Sequence, residues 1–278
     1  EGAQRLLLHL PPAQRMAYEL LLLGQTLTRT RVEAAWESEA LIDELLGAGL
    51  LETAGAGRIR TAGYAVVSYF GRYFVVTLNP YYPGAQDLDQ AVYVGPDSLT
   101  LAGYLLHLPT MPRALDLCAG SGIQAILAAA HAGEVAAVEL NEDAVAAARF
   151  NAALNGVADR VSVYHGSLYD AAPAGVFDLI VSNPPYIALD EMAALSPEVR
   201  EWEPRAALTD EGDGLAAYRV ITAGAGAHLL PAGWLAVEIG PTQGATVAAL
   251  MQAAGFSEIA LRQDLDGRDR VVIGQFLP

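Results

Sequence analysis

The sequence predicts an α/β protein: a mostly parallel sheet with helices on both faces, preceded by a small α+β domain. Three observations carry this. From Arg113 onward, strand-like and helix-like stretches alternate to the end of the chain. Two turns, Gly120-Ser121-Gly122 and Asn183-Pro184-Pro185-Tyr186, stand directly after strand-like runs. Before residue 75 the order is instead three helices and a hairpin. Strand–helix alternation is the pattern that buries a parallel sheet on both faces.

The elements follow in order. Met16, Leu20 and Leu23 recur at helical spacing between Pro11 and Gly24. Thr28 is placed to cap a second helix through Trp36, and Ser38 a third. The third helix has the apolar set Leu41, Ile42, Leu45 and Leu46, with Gly47 and Gly49 as its stop. Leu50-Leu51-Glu52 leads into the turn Gly55-Ala56-Gly57 and a return strand, Arg58 to Thr61. This order resembles a winged-helix domain. Its third helix would have to enter a DNA groove, yet it carries Glu39, Asp43 and Glu44 and no basic residue. Seven arginines against eight acids over residues 1–80 leave no basic footprint. The domain therefore reads as a docking or dimerisation module. Strands are expected at 64–69, 73–78 and 91–94, with an aromatic loop at 79–84, and a helix from Pro96-Asp97-Ser98 to His107.

In the alternating region, strands are expected at 114–117, 135–139, 161–164, 177–182, 234–239, 259–262 and 271–276. The helices between them are expected at 121–132, 141–155, 216–230 and 242–254. This divides the chain into a winged-helix-like domain (1–75), a strand-rich linker with its helix (76–110) and a larger α/β domain (111–278).

Composition narrows the chemistry. The 278 residues carry 16 basic and 32 acidic side chains, a net charge of −16, and every basic residue is arginine. Without lysine there is no Schiff-base chemistry. A charge this negative disfavours a phosphate backbone and favours a protein or small molecule as substrate. No apolar run reaches the roughly 18 residues that span a bilayer, and no basic-then-apolar leader is visible. Cys118 is the single cysteine, so no disulfide framework or multi-thiolate metal site is expected. These features predict a soluble, cytoplasmic, metal-free protein without membrane association.

Asp116-Leu117-Cys118-Ala119-Gly120-Ser121-Gly122 occupies the first strand-to-helix turn, where two glycines allow a sharp bend and close approach of a ligand. A dinucleotide is a rival ligand here, but three features turn the balance. The third glycine of that fingerprint is missing, with Ala125 and Ile126 in its place. Asp116 stands where a carboxylate would repel pyrophosphate but suit a cation. Glu139 ends the next strand, placed to hold two ribose hydroxyls. A cationic adenosine ligand without phosphate is S-adenosylmethionine. Cys118 reads as a small side chain under the turn rather than a nucleophile.

Asn183-Pro184-Pro185-Tyr186 ends a strand with an amide, two prolines and an aromatic ring. The prolines stop sheet pairing and make the loop rigid at the sheet edge where ligands of open α/β sheets bind. The residues Asp116 to Gly122, Asn183 to Ile187, Glu198-Val199-Arg200, Glu203-Pro204, Gly212 to Leu215, Tyr218-Arg219, Glu238-Ile239-Gly240, Gln243 and Asp264 to Arg270 follow one another. In this order they resemble the class I S-adenosylmethionine-dependent methyltransferases, and among them the HemK-type glutamine-N5 methyltransferases that modify peptide-chain release factors.

The resemblance implies a Rossmann-like seven-stranded sheet over roughly residues 94–278. It implies S-adenosylmethionine as cofactor, leaving as S-adenosylhomocysteine. It assigns the catalytic roles to Asn183, Pro184 and Tyr186. The cofactor would meet Asp116, Cys118, Gly120, Gly122, Glu139, Leu140, Ser167, Leu168 and Asn183, and the substrate Pro185, Glu203 and Asp97. Asp190, Glu191 and Glu198 read as a solvated lid face. Three departures stand out: Pro96-Asp97-Ser98-Leu99 has lost one acid of the family's helix start, Ser167 replaces the usual acid near adenine, and the N-terminal domain is atypical. A protein glutamine is the expected acceptor. A nucleic-acid base or metabolite is the alternative, as is a cofactor-sensing regulator, and the N-terminal domain could form a homodimer.

Overall fold

A computed structural model describes residues 9–77, 92–95, 98–201 and 203–277; the expected aromatic loop at 79–84, the helix start at Pro96 and the candidate contact Asp97 lie outside them. The chain forms two compact units, Glu1–Ser68 with Val75–Asp87, and Tyr69–Phe74 with Leu88–Pro278.

In the first unit, α1 (Pro12–Ala17) starts on a proline, whose missing N–H is harmless in a first turn, and runs into a π-helical turn at Tyr18–Leu22. Helices α2 (Arg29–Trp36) and α3 (Glu39–Gly47) follow, with strands β1 (Leu27–Thr28), β2 (Leu51–Thr53) and β3 (Arg58–Thr61) in the antiparallel order β1-β3-β2. Three helices and a small sheet make up a small α/β region at the N-terminal side, with β1 added to the expected helices and hairpin. Ser38 caps α3 as expected, its Oγ accepting from Leu41 N at 3.2 Å. Thr28 precedes α2 without a side-chain cap; the Arg29 N–H donates to the Gly57 carbonyl of the β2–β3 turn, 2.8 Å away. The core gathers Met16, Leu20, Leu27, Val32, Ile42, Leu51 and Ile59. Leu41 departs from expectation and is exposed. It lies 100° round the helix from Ile42, beyond the edge of the buried stripe.

Strands β4 (Tyr64–Tyr69) and β5 (Arg72–Thr77) form a hairpin. Its turn, Tyr69–Phe74, belongs with the second unit. There the Asn155 side chain accepts from Tyr73 N at 2.9 Å and donates to Tyr73 O at 2.6 Å. Of the strand expected at 91–94, the described residues 92–94 are neither helix nor strand.

The second unit begins with α4 (Ser98–Leu105). Strands β6 (Met111–Leu117), β7 (Ala132–Glu139), β8 (Val161–His165), β9 (Phe177–Ser182), β10 (Leu229–Glu238), β11 (Phe256–Gln263) and β12 (Asp269–Phe276) form one seven-stranded sheet. Its order is β11-β12-β10-β9-β6-β7-β8, and only β12 runs antiparallel to its neighbours. The connecting helices are α5 (Ile123–Ala128), α6 (Glu142–Leu154), the short α7 (Pro197–Arg200) and α8 (Arg205–Leu208), then α9 (Ala216–His228) and α10 (Gly244–Ala253). Helix α5 stops four residues short of expectation because Ala132 already pairs with Met111.

Alternation sorts the strand side chains. Leu115, Leu117, Ile180, Leu235 and Val237 pack with Tyr218, Ile221, Val247 and Met251 of α9 and α10. Asp116 points the other way, where its Oδ2 accepts from Ala125 N of α5 at 2.9 Å. From β6 the chain winds outward through β7 and β8, then returns to β9 on β6's other side. Strand order thus reverses between β6 and β9, and a ligand crevice opens at such a switch point beyond the carboxyl ends of the strands.

Candidate active site

Four strand ends meet at this switch point. At the end of β6, Gly120 has φ 52° and a Cβ there would meet nothing, so the turn faces open space. Gly122 has a different task. Its φ is 81°, and a Cβ would come within 3.1 Å of Ala148 Cβ, so its bareness serves the packing of α6. At the end of β7, Glu139 joins two turns: Oε2 accepts from Gly120 N and Oε1 from Asn141 N, both at 2.8 Å. These bonds fix the carboxylate at the strand end, and each oxygen keeps a further lone pair for a ligand hydroxyl.

Asp116 is fully buried, and its Oδ1 has no hydrogen-bond partner among the described residues. Burial pushes its carboxyl well above the usual range; the Ala125 N–H opposes this and the Glu139 charge adds to it. Next to β7, the turn after β8 is held by Gly166 N donating to Glu139 O and by His165 Nε2 donating to Leu140 O, both at 2.9 Å. This brings Ser167 and Leu168 beside Glu139, with Leu140 66% exposed on the same lip.

Cys118 adopts φ 61°, in the left-handed region that favours glycine. Burial pushes its thiol up to about 12, with Glu139 adding to the shift and a hydrogen bond to Ser182 opposing it. At neutral pH it is a protonated thiol. Cys118→Ser is expected to keep turnover within about threefold, and iodoacetamide should modify the wild type slowly at pH 8, faster as pH rises toward 12. Rapid alkylation at pH 7 with loss of activity would make Cys118 a reactive group.

At the end of β9, Ser182 Oγ donates to Leu117 O at 2.8 Å and ties this strand end to β6. Asn183 follows, partly buried, and its Nδ2 donates to Ser98 Oγ at 3.0 Å. One of the two N–H groups of the amide is thus engaged, which turns Oδ1 away from Ser98 as an acceptor. Ser98 is itself fixed, its carbonyl accepting from Gln124 Nε2 of α5 at 2.9 Å. Pro184 is buried, while Pro185 and Tyr186 are partly buried. Tyr186 packs against the core on the α9–α10 side, and a Cβ on Gly240 would lie 3.4 Å from its ring.

Beyond Tyr186 the described chain folds back on itself. Ile187 N bonds to Leu208 O and Leu189 N to Gly212 O, both at 2.9 Å. Asp210 gathers three N–H groups at the start of α9, from Gly212, Gly214 and Ala216, at 2.8 to 2.9 Å. Burial pushes its carboxyl up, but the bonds from Ala216, Gly214 and Gly212 outweigh this and hold it below the usual range. Glu203, partly buried, stands before α8, its N–H on Val199 O at 3.0 Å. Asp190 and Glu191 are exposed, and Glu191 accepts from Ala188 N in a local turn, consistent with a solvated face. The Glu198 side chain lies outside the described residues.

With this geometry in hand, comparison with known proteins places the fold. Residues 99–198 match the family model of the methyltransferase small domain. The chain also matches named relatives over part of its length. It is similar to the release factor glutamine methyltransferase of Cereibacter sphaeroides, with 52% identity over 160 residues, 57% of each chain. It is also 44% identical over 174 residues to the protein of that name from Geobacter sulfurreducens, covering 62% of this chain and 60% of that one. The chain spans less than two thirds of the length of these relatives. Among solved structures, a methyltransferase from Pyrococcus furiosus is similar to this chain in fold, with a TM-score of 0.50 at 17% identity, covering 68% of this chain and 89% of that one.

The second unit thus brings together Asp116, Cys118, Gly120 and Gly122 with Glu139, Leu140, Ser167 and Leu168, and sets Asn183 to Tyr186 at the adjoining strand end. Sequence reasoning assigned no role to Ser98 or Gln243. Ser98 was visible only as part of a helix start, and Gln243 only as a residue in the family pattern.

Proposed function

We propose that the chain is an S-adenosylmethionine-dependent methyltransferase that acts on a planar amide nitrogen, with the glutamine side chain of a release factor as acceptor in the cytoplasm. The observation that carries this is Asn183 at the switch point, its amide nitrogen held by Ser98 and its oxygen left to accept. The cofactor end supports the same reading. The orphaned Asp116 Oδ1 is a buried polar atom beside the glycine turn, and the Glu139 carboxylate is held for two ribose hydroxyls. Leu140 offers an exposed apolar face to adenine.

Bound there, the cofactor supplies an electrophilic methyl group. A carboxamide nitrogen is a poor nucleophile because its lone pair is delocalised into the carbonyl. Asn183 Oδ1 and the Pro184 carbonyl would accept its two N–H bonds, aiming the lone pair at the methyl and favouring a pyramidal nitrogen. Orientation of this kind contributes about 7–11 kcal/mol in favourable cases. Tyr186 would stack on the flat group, with Pro185 and Glu203 beside it.

An adenine amine presents the same two N–H bonds, so the acceptor is chosen on charge. Net charge is −16. In the first unit Arg29 pairs with Glu33, Glu39 and Asp43, Arg15 and Arg31 share Glu19, and Arg60 pairs with Glu52. Arginines so engaged are poor partners for phosphate. We assign this unit to docking of the protein substrate or to self-association.

The test is calorimetric titration with S-adenosylmethionine, then transfer of a labelled methyl group in the presence of release factor, RNA and metabolite pools. Binding followed by label in release-factor glutamine is the expected result. Label in RNA or a metabolite would overturn the acceptor, and absence of binding would overturn the reaction.

A further inference from the structure

Gln243, the residue before α10, touches the acceptor loop from below. Its Nε2 donates to Tyr186 O at 2.8 Å and to Gly214 O at 3.3 Å, and its Oε1 accepts from Gly240 N at 3.0 Å. The chemistry fixes the amide's orientation. Turned over, it would set its NH2 against the Gly240 N–H and its oxygen against two carbonyls. The three backbones it joins are the last residue of the acceptor loop, the turn that opens α9, and the turn that closes β10.

They are packed so closely that a Cβ on Gly214 would lie 2.2 Å from Tyr186 O, and one on Gly240 would lie 3.1 Å from Gln243 Oε1. Asp210 holds Gly214 from its other side, through the Gly214 N–H. The rigid prolines convey the position of Tyr186 to Asn183 and Pro184.

We infer that Gln243 is a positioning residue for methyl transfer: its amide sets the height of the acceptor loop, and hence of the Asn183 oxygen and Pro184 carbonyl, above the crevice. This rests on the methyltransferase reading proposed above. Gln243 bonds to the acceptor side; apart from Asn183, the residues assigned to the cofactor are at the ends of β6, β7 and β8.

Gln243→Glu makes the inference sharply testable. A neutral carboxylic acid copies the amide, with its O–H donating to Tyr186 O and its C=O accepting from Gly240 N. Ionised, it would face two carbonyls with no donor. The variant should therefore approach wild-type kcat at low pH and fall away as pH rises through the new group's pKa, an inflection absent from the wild-type profile. A displacement on the order of 1 Å at a reacting group costs about 10²-fold. At pH 8 a loss of about 30-fold to 100-fold in kcat is expected, with the Kd for S-adenosylmethionine within about threefold.

Hydrogen–deuterium exchange supplies a readout that needs no turnover. Exchange at Ile187 and Leu189, compared with wild type at each pH, should accelerate in Gln243→Glu at pH 8 and recover at low pH. Gln243→Leu should be fast at every pH. A pH-independent kcat ratio near one for Gln243→Glu, with unchanged exchange, would overturn the inference. If the wild type methylates none of the pools while the loop still shows the pH-dependent exchange, the reaction reading fails and the anchoring of the loop stands.

Discussion

Asn183→Ala is expected to lower kcat by about 10²–10³-fold while leaving the Kd for S-adenosylmethionine within about threefold. The asymmetry follows from where the side chain is anchored. Its nitrogen is held by Ser98 Oγ, outside the cofactor turns, and its oxygen is the acceptor presented to a substrate. An interaction formed with the reacting nitrogen is strongest as that nitrogen becomes pyramidal, so its loss appears in turnover. Ser98→Ala should act in the same direction but more weakly, by about fivefold to tenfold, since it removes one hydrogen bond that orients the amide. Ser98→Thr keeps the hydroxyl and should restore most of the rate. Steady-state kinetics paired with calorimetry checks all three. Equal losses in cofactor binding and turnover for Asn183→Ala would move Asn183 from the acceptor side to the cofactor side.

Glu139→Ala should weaken cofactor binding by about one to two decades, as expected for a charge-assisted hydrogen bond of about 1.5–3 kcal/mol. Glu139→Gln should not rescue it fully. Both carboxylate oxygens accept backbone N–H groups, from Gly120 and Asn141. An amide in that place must turn its NH2 toward one of them. A loss of about one decade is therefore expected for the isosteric change, with the turn loosened at either Gly120 or Asn141. Calorimetric titration of the two variants decides the matter. Wild-type affinity in Glu139→Gln would mean that the bonds to the backbone, and the charge they hold, are dispensable for the ligand.

Much of this was readable from local pattern. Alternating apolar runs gave the strands of the large sheet, because a strand buried on both faces must be apolar along its length. Gly120-Ser121-Gly122 and Asn183-Pro184-Pro185-Tyr186 were legible because backbone restrictions belong to the residues themselves. Boundaries were less so. Helix α5 was read past Ala128, yet Met111 claims Ala132 for the sheet. Ser38 capped its helix as its sequence suggested, while Thr28, which pairs with Arg58 in the small sheet, did not.

By itself, then, the sequence determined the alternation, the two turns, and the residue types that can hold a cationic nucleoside and a flat amide. Only the tertiary structure decided which groups work together. Ser98 and Asn183 are 85 residues apart in sequence, and Gln243 and Tyr186 are 57 apart. No spacing rule connects them. What connects them is the reversal of strand order between β6 and β9 and the winding of α9 and α10 back over the sheet. Hydrogen bonds across such distances depend on where the backbone returns, which is a property of packed layers and not of neighbouring residues.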